Sequence, residues 1–236
     1  MSEPFYDFIA NNRLTVSNRL YGYEDKEKRY RRIPYRTLPK VPELNTPLWE
    51  ALLRRKSTRK FSETSMPLSD LSALLFHSLA RKEDSLGAKK YPFPSGGAFY
   101  PIESYLLVHN VEGLESGVYH YATVDHAVAR VGDAPKRTLR ELNLDYGCFF
   151  ESIPPVILHM TLVKSRCVMK YGSLIYLAYQ TEAGHRGQNL YLVASALRLG
   201  VCAMAAGNYE KTNQMLGVDG MNEHHIYGMA IGRASS

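Results

Sequence analysis

Four short stretches of this 236-residue sequence gather residue types that can do chemistry. Arg55-Lys56-Ser57-Thr58-Arg59 sets three cations around two hydroxyls. Charge-assisted bonds to a phosphate dianion are strong, and the arginine fork can hold two of its oxygens at once. The same run also reads as a solvated helix face, the commoner origin of clustered charge. Pro94-Ser95-Gly96-Gly97-Ala98-Phe99-Tyr100-Pro101-Ile102-Glu103 places two glycines ahead of a strand, where backbone amides can approach a flat ligand closely. An ordinary hairpin-type loop looks alike. Glu182-Ala183-Gly184-His185-Arg186-Gly187-Gln188-Asn189-Leu190 spaces Glu182 and His185 as metal ligands are spaced on a helix, yet nothing else in the sequence completes a coordination set. No metal is expected, and His185 alone reads as a satisfied core or interface histidine. Finally, Lys170-Tyr171 puts an ammonium beside a phenol just before a helix. Both neighbours favour the phenolate of a side chain that ordinarily titrates near ~10, the form a base needs, but nothing in the pair by itself selects that role. The bland alternative is a surface lysine next to a packed tyrosine. Adjacent residues do not share a helix face, so the two converge only if Lys170 lies in the turn before the helix.

The elements that must position these residues follow from periodicity and punctuation. Residues 1–44 carry many tyrosines and arginines and then Pro34, Pro39 and Pro42, which favour extended backbone. They read as an arm running over the body or over a partner subunit. The body, 45–236, opens at Asn45-Thr46-Pro47, a cap followed by proline at the first helical position, with a helix over Leu48 to Arg55. A second helix follows Pro67, with Leu68, Leu71, Leu74, Leu75 and Leu79 at helical spacing. Strands are expected over Glu103 to His109, Gly117 to Tyr121, Ala127 to Val131, Pro155 to Val163 and His225 to Ile231, and a helix over Thr138 to Asn143. The longest element spans Tyr171 to Leu199 and ends at Gly200. Its small residues Ala178, Ala183, Gly184 and Gly187 suit a central helix packed on all sides, and its polar groups exclude a lipid-exposed span. The fold class is α+β.

Composition narrows the class of protein. A hydrophobic share of 45% and a charged share of 22% describe a globular chain. The net charge of +6 falls in two runs, 26–32 and 54–60, not along one stripe, so no nucleic-acid partner is expected. No apolar stretch is long enough to cross a bilayer. The opening MSEPFYDF has no leader-like pattern, so a cytoplasmic location is expected. Three scattered cysteines, Cys148, Cys167 and Cys202, form no CxxC pair and read as reduced, buried thiols.

The motifs also resemble those of a known family. Arg55-Lys56-Ser57-Thr58-Arg59 is similar to the RRSxR phosphate motif that opens nitroreductase-family sequences. The stretch 94–103 resembles the PSAGALYPxE segment of the SagB/McbC-type dehydrogenases, where it lines the flavin. Gly117-Val118-Tyr119-His120-Tyr121 resembles their GVYHY segment, and 182–190 their EAGHxxQNL helix. In the peptide azoline dehydrogenases a catalytic Lys-Tyr pair stands at the distance of Lys170-Tyr171 from that helix. The resemblance covers roughly residues 45 to 233 and leaves the arm unmatched. After Gly200-Val201-Cys202 the family has Pro-x-Gly-x-Phe, where this chain has Ala203-Met204-Ala205-Ala206-Gly207-Asn208-Tyr209.

The resemblance implies a nitroreductase-like fold, a central antiparallel-rich sheet flanked by helices, and a long interface helix in a homodimer with FMN between the subunits. The FMN phosphate falls to Arg55, Lys56, Ser57 and Arg59, with Arg233 in addition. Ser95, Gly96, Gly97 and Ala98 line the ring, with Met204, Ala205 and Ala206 offering backbone contacts. The reaction implied is oxidation of a thiazoline or oxazoline to the azole. Tyr171, helped by Lys170, would be the base, the substrate a peptide or amino-acid derivative, and a cyclodehydratase or synthetase the partner. The rival readings are an NAD(P)H-dependent reductase of nitro, quinone or enone compounds, and a flavin-holding scaffold subunit without catalysis, which would have no use for Lys170 and Tyr171.

Overall fold

A computed structural model describes residues 27–83, 89–168, 175–204 and 207–235. Seven strands form one sheet in the order β1-β6-β5-β4-β7-β9-β8, with every neighbouring pair antiparallel. They are β1 (Arg36–Thr37), β4 (Ile102–Val108), β5 (Gly117–Ala122), β6 (Ala127–Gly132), β7 (Val156–Val163), β8 (Gly200–Met204) and β9 (Glu223–Gly232), while β2 (Lys82–Glu83) and β3 (Lys89–Lys90) pair with each other. Among the described residues five α-helices flank the sheet: α1 (Leu48–Arg54), α2 (Leu68–Leu79), α3 (Leu139–Tyr146), α4 (Ile175–Ala196) and α5 (Tyr209–Leu216). Among the described residues no helix is long and apolar enough to cross a membrane.

Every residue of β4, β5 and β7 is buried, so the sheet is covered on both faces. Pleating sends alternate side chains to opposite sides. Leu106 and Val108 of β4 and Leu158 and Met160 of β7 meet Leu71, Leu74, Leu75 and Leu79 of α2, with Tyr179, Ala183 and Leu190 of α4. On the other side, Tyr105 and Leu107 of β4 and Ile157 of β7 meet Leu142 and Tyr146 of α3, Leu216 of α5 and Tyr30 of the arm. The described part of the arm lies on its own chain. β1 pairs with β6, Leu38 enters the core, and the Ser72 hydroxyl donates to the Pro39 carbonyl over 2.7 Å.

Two boundaries differ from the sequence reading and two elements escaped it, each for a local reason. Pro47 sits at the N-cap of α1, because the Thr46 hydroxyl is used on the Ala196 carbonyl at 3.3 Å. α4 stops at Ala196, before Gly200, in a Schellman turn. There Leu199 N–H donates to the Ala194 carbonyl (2.8 Å) and Arg198 N–H to the Ser195 carbonyl (3.3 Å). Gly200 instead opens β8, which sequence periodicity missed. A Cβ there would stand 2.6 Å from the Thr58 side chain, so the glycine lets the chain after α1 run beside β8. α5 was also missed, although it carries its own signals: Asn208 accepts from Lys211 N–H at 3.0 Å, and Gly217 closes it at φ 68°. Nor is α4 packed on all sides within one chain, since Thr181, Gly184, His185 and Gln188 form an exposed stripe. Cys167 and Cys202 are buried and Cys148 half-buried, and burial pushes the Cys167 thiol up to about 12.

A buried imidazole pair lies under α3 and α5. His159 Nδ1 is 3.2 Å from His225 Nε2, and the Tyr146 hydroxyl is 3.2 Å from His159 Nε2. Burial pulls His225 down to about 4 and His159 well below its ordinary value. Unfolded, both titrate near ~6.5, so below that pH the unfolded chain binds more protons than the fold does. Stability is therefore undiminished above about pH 6.5 and falls as pH drops toward 4, with His225 alone contributing about 3 kcal/mol of the loss. Urea midpoints measured across this range are expected to decline, and His225→Gln to flatten the decline.

Candidate active site

The glycine-rich stretch folds as a tight loop over Ser95–Tyr100 whose ends are fixed by two buried carboxylates. Gly97 at φ 64° is easily left-handed, but Ala98 at φ 56° and Tyr100 at φ 44° hold the same region at a cost. Such strain persists only where surrounding contacts over-determine it, and it clusters at functional sites. At the entry, the Ser95 hydroxyl donates to Glu182 Oε2 (2.5 Å) and accepts from Tyr100 N–H (3.0 Å). Glu182 pairs in turn with Arg186 one helical turn on (2.8 Å), and both side chains are buried. The Arg186 guanidinium lies 4.2 Å from the Phe93 ring centroid, and Asn189 donates to the Pro92 carbonyl at 2.9 Å. The motif 182–190 therefore grips the loop from α4, while Tyr91, Phe93 and Tyr100 pack together beneath it.

At the exit, Glu103 accepts from His120 Nε2 (2.9 Å), from Lys28 N–H (3.1 Å) and from Arg166. Burial alone would raise this carboxyl, but the His120 hydrogen bond and the Arg166 charge outweigh it and hold it well below the usual carboxylate range. Arg166 also donates to the Tyr100 carbonyl at 3.3 Å, tying the turn after β7 to the loop. Beside it lies a group that sequence reasoning missed. Lys28 Nζ is 2.6 Å from Glu223 Oε2 and 2.7 Å from the Tyr105 hydroxyl, which donates to Glu223 Oε1 at 2.9 Å. Burial and the Glu223 charge drive the Tyr105 phenol far above its ordinary range, so it remains a donor. Burial opposes the Lys28 charge, but the Glu223 contact prevails and raises the amine. No single motif marks this group, because its members come from the arm, β4 and β9.

A separate cationic cleft of about 370 Å³ opens where α1 and α4 end. Arg54, Arg55, Lys56, Thr58, Tyr191 and Arg198 are among its walls, and no acidic residue among the described residues lines it. Arg55 lies over the Tyr191 ring at 5.4 Å. The Tyr191 hydroxyl is 3.1 Å from the Ser57 hydroxyl and accepts from Ala203 N–H at 2.9 Å. Tyr191 thus links the expected phosphate motif to the end of β8.

The expected site residues divide accordingly. Arg55 and Lys56 meet at the cleft and Ser57 joins them through Tyr191, while Ser95, Gly96, Gly97 and Ala98 form the loop. Met204 is buried in the core, at the end of β8 where it pairs with Gly228 of β9. Arg233 turns instead to Asp70, bonding it at 3.0 and 2.7 Å, and the Arg59 charge bears on Cys148 and Cys202. Lys170, Tyr171, Ala205 and Ala206 lie outside the described residues.

Comparison with known proteins accords with this architecture. The family model "Nitroreductase family" matches residues 52–233. The chain belongs to the nitroreductase family, whose members are generally FMN-dependent oxidoreductases. It is 32% identical over 197 residues to MJ1384 of Methanocaldococcus jannaschii, provisionally named a nitroreductase, covering 83% of this chain and 94% of that protein. It is 33% identical over 120 residues to the microcin B17-processing protein McbC of Escherichia coli, covering 48% of this chain and 43% of that one. Among solved structures, the E. coli microcin synthetase McbBCD complex with truncated pro-MccB17 bound contains a chain that superposes with a TM-score of 0.65 at 22% identity. That match covers 90% of this chain and 80% of the other, and it shows the shared fold.

The loop clamp has a direct energetic consequence. Glu182→Gln keeps the shape but leaves Arg186 buried without a counter-charge, and an ion pair broken this way costs about 3–5 kcal/mol. Replacing both partners, Glu182→Gln with Arg186→Met, is expected to recover most of that loss in urea unfolding.

Proposed function

We propose that the chain is an FMN-dependent dehydrogenase that oxidises a thiazoline or oxazoline in a peptide or amino-acid derivative to the azole. The observation that carries the cofactor reading is the meeting of Arg55 and Lys56 in a cleft with no acidic wall, linked through Ser57 and Tyr191 to β8. That donor set fits a phosphate monoester. Arg55, Lys56 and Ser57 would hold the phosphate end, and the backbone of Ser95–Ala98 and of the residues after β8 would flank the ring. FMN held there supplies a two-electron acceptor, while the protein supplies orientation and electrostatics. The azoline loses one ring proton and one hydride and gains one double bond. Tyr171 takes the proton, and the Lys170 ammonium favours the phenolate that accepts it. The McbC likeness supports the azoline substrate, and a synthetase-type partner goes with it. The MJ1384 likeness keeps a nicotinamide-dependent reductase as the second reading.

The same reading places a second copy of the chain against α1 and α4. Leu48, Trp49, Leu52 and Leu53 leave α1 with 66%, 66%, 49% and 78% of their surfaces exposed, and α1 lies along α4, whose exposed stripe includes Gly184. An apolar helix face of this kind needs a cover. Sedimentation is expected to give a dimer, and Trp49→Glu with Leu53→Glu to give a monomer that loses flavin.

Chemistry is tested by anaerobic mixing of the FMN-loaded protein with a synthetic peptide carrying one thiazoline. Bleaching of the flavin by that peptide and not by NAD(P)H alone is the expected result. Tyr171→Phe should retain FMN and the fold and lose about 10²–10⁴-fold in the bleaching rate. Bleaching by NAD(P)H alone, with Tyr171→Phe unaffected, favours the reductase.

A further inference from the structure

We propose that Arg198 and Ser195, which no motif marks, complete a phosphate-monoester site in the cleft at the ends of α1 and α4. The inference rests on assigning the FMN phosphate to this cleft and adds two residues to it. Arg198 occupies the left-handed position of the Schellman turn, at φ 61°, where glycine is the usual residue. A long side chain is there despite its backbone, and the residue lines the cleft. Arg55, Lys56 and Arg198 converge on this cleft, and none of them has a carboxylate partner among the described residues. Like charges brought together repel unless an anion lies between them. Ser195 supplies the second, independent sign. It lines the same cleft, is 8% exposed, and its hydroxyl has no hydrogen-bond partner among the described residues. A buried hydroxyl without a partner is uncommon, and a phosphate oxygen would satisfy it. The competing explanation is that cations merely complement the carbonyl ends of two helices. That accounts for the charges and leaves the Ser195 hydroxyl and the strained backbone unexplained.

The two explanations give opposite results for Arg198→Gly in the full-length, flavin-free protein. A ligand role means that glycine relieves the turn, so the melting temperature holds or rises while phosphate-ligand affinity falls about 10- to 100-fold, as for loss of one charged hydrogen bond. Ser195→Ala removes only a hydroxyl and is expected to weaken the same ligand by about threefold to tenfold without unfolding risk. Titration with FMN and with riboflavin identifies the phosphate. Loss for FMN alone assigns it to the flavin. Unchanged FMN binding with a selective loss for NADPH over NADH, or for inorganic phosphate, assigns it to another phosphate-bearing ligand and still supports the site. A melting temperature that falls with all these affinities unchanged overturns the proposal in favour of helix-end complementation. Absence of any flavin binding by the wild-type protein defeats the FMN reading instead, and inorganic phosphate then remains the test of this site.

Discussion

Burial of β4, β5 and β7 on both faces is the constraint from which the rest of this structure follows. A sheet so enclosed needs two covering layers, and each polar group on a covered strand needs a partner inside the layer. The α2/α4 face is closed mainly by apolar packing, with the Glu182–Arg186 pair as its buried charge. The opposite face carries Glu103, His120, His159, Thr161, Glu223 and His225, and it is closed by hydrogen bonds and ion pairs as much as by α3 and α5. One side of the sheet is thus a conventional core and the other a buried polar network. The glycine-rich loop springs from the edge of that network at Glu103.

Much of this was legible in the sequence, and the rest was hidden for definable reasons. The leucine spacing of α2, the capping box of α3 and the largely apolar stretches of β4 and β7 are local signals, and the structure has those elements. β8 and α5 escaped because they are short, five and eight residues, and sit where the chain departs from the family pattern. The site was half legible. Arg55, Lys56 and the 95–98 loop announce themselves by clustered charge and glycine. Lys28, Tyr105 and Glu223 meet only through the fold, across 77 and 118 residues of sequence, and no spacing rule finds such a group. The Schellman turn at Arg198 hid for the opposite reason, since an arginine at a left-handed position contradicts the rule that reads helix ends from glycine.

Membership of the nitroreductase family defines the scaffold and leaves the substrate to the site. In this chain the scaffold presents two distinct devices on α4. Its middle, Glu182 to Asn189, clamps the glycine-rich loop, and its end, Ser195 to Leu199, walls the cationic cleft. A single rigid helix therefore sets the distance between the loop and the cleft.

The contact of Lys28 with Glu223 also bears on how such a sequence can change over generations. The lysine arrives from the arm, ahead of the region shared with the family at large, whereas both carboxylates stand on central or near-central strands. Losing the lysine first strands a buried negative charge beside Tyr105, and losing Glu223 first strands the ammonium. Each single step passes through a less stable protein, so arm and sheet are coupled in stability. The arm is thus part of the core it covers, and a graft of this body onto a different arm would have to bring Lys28 along or replace Glu223 with it.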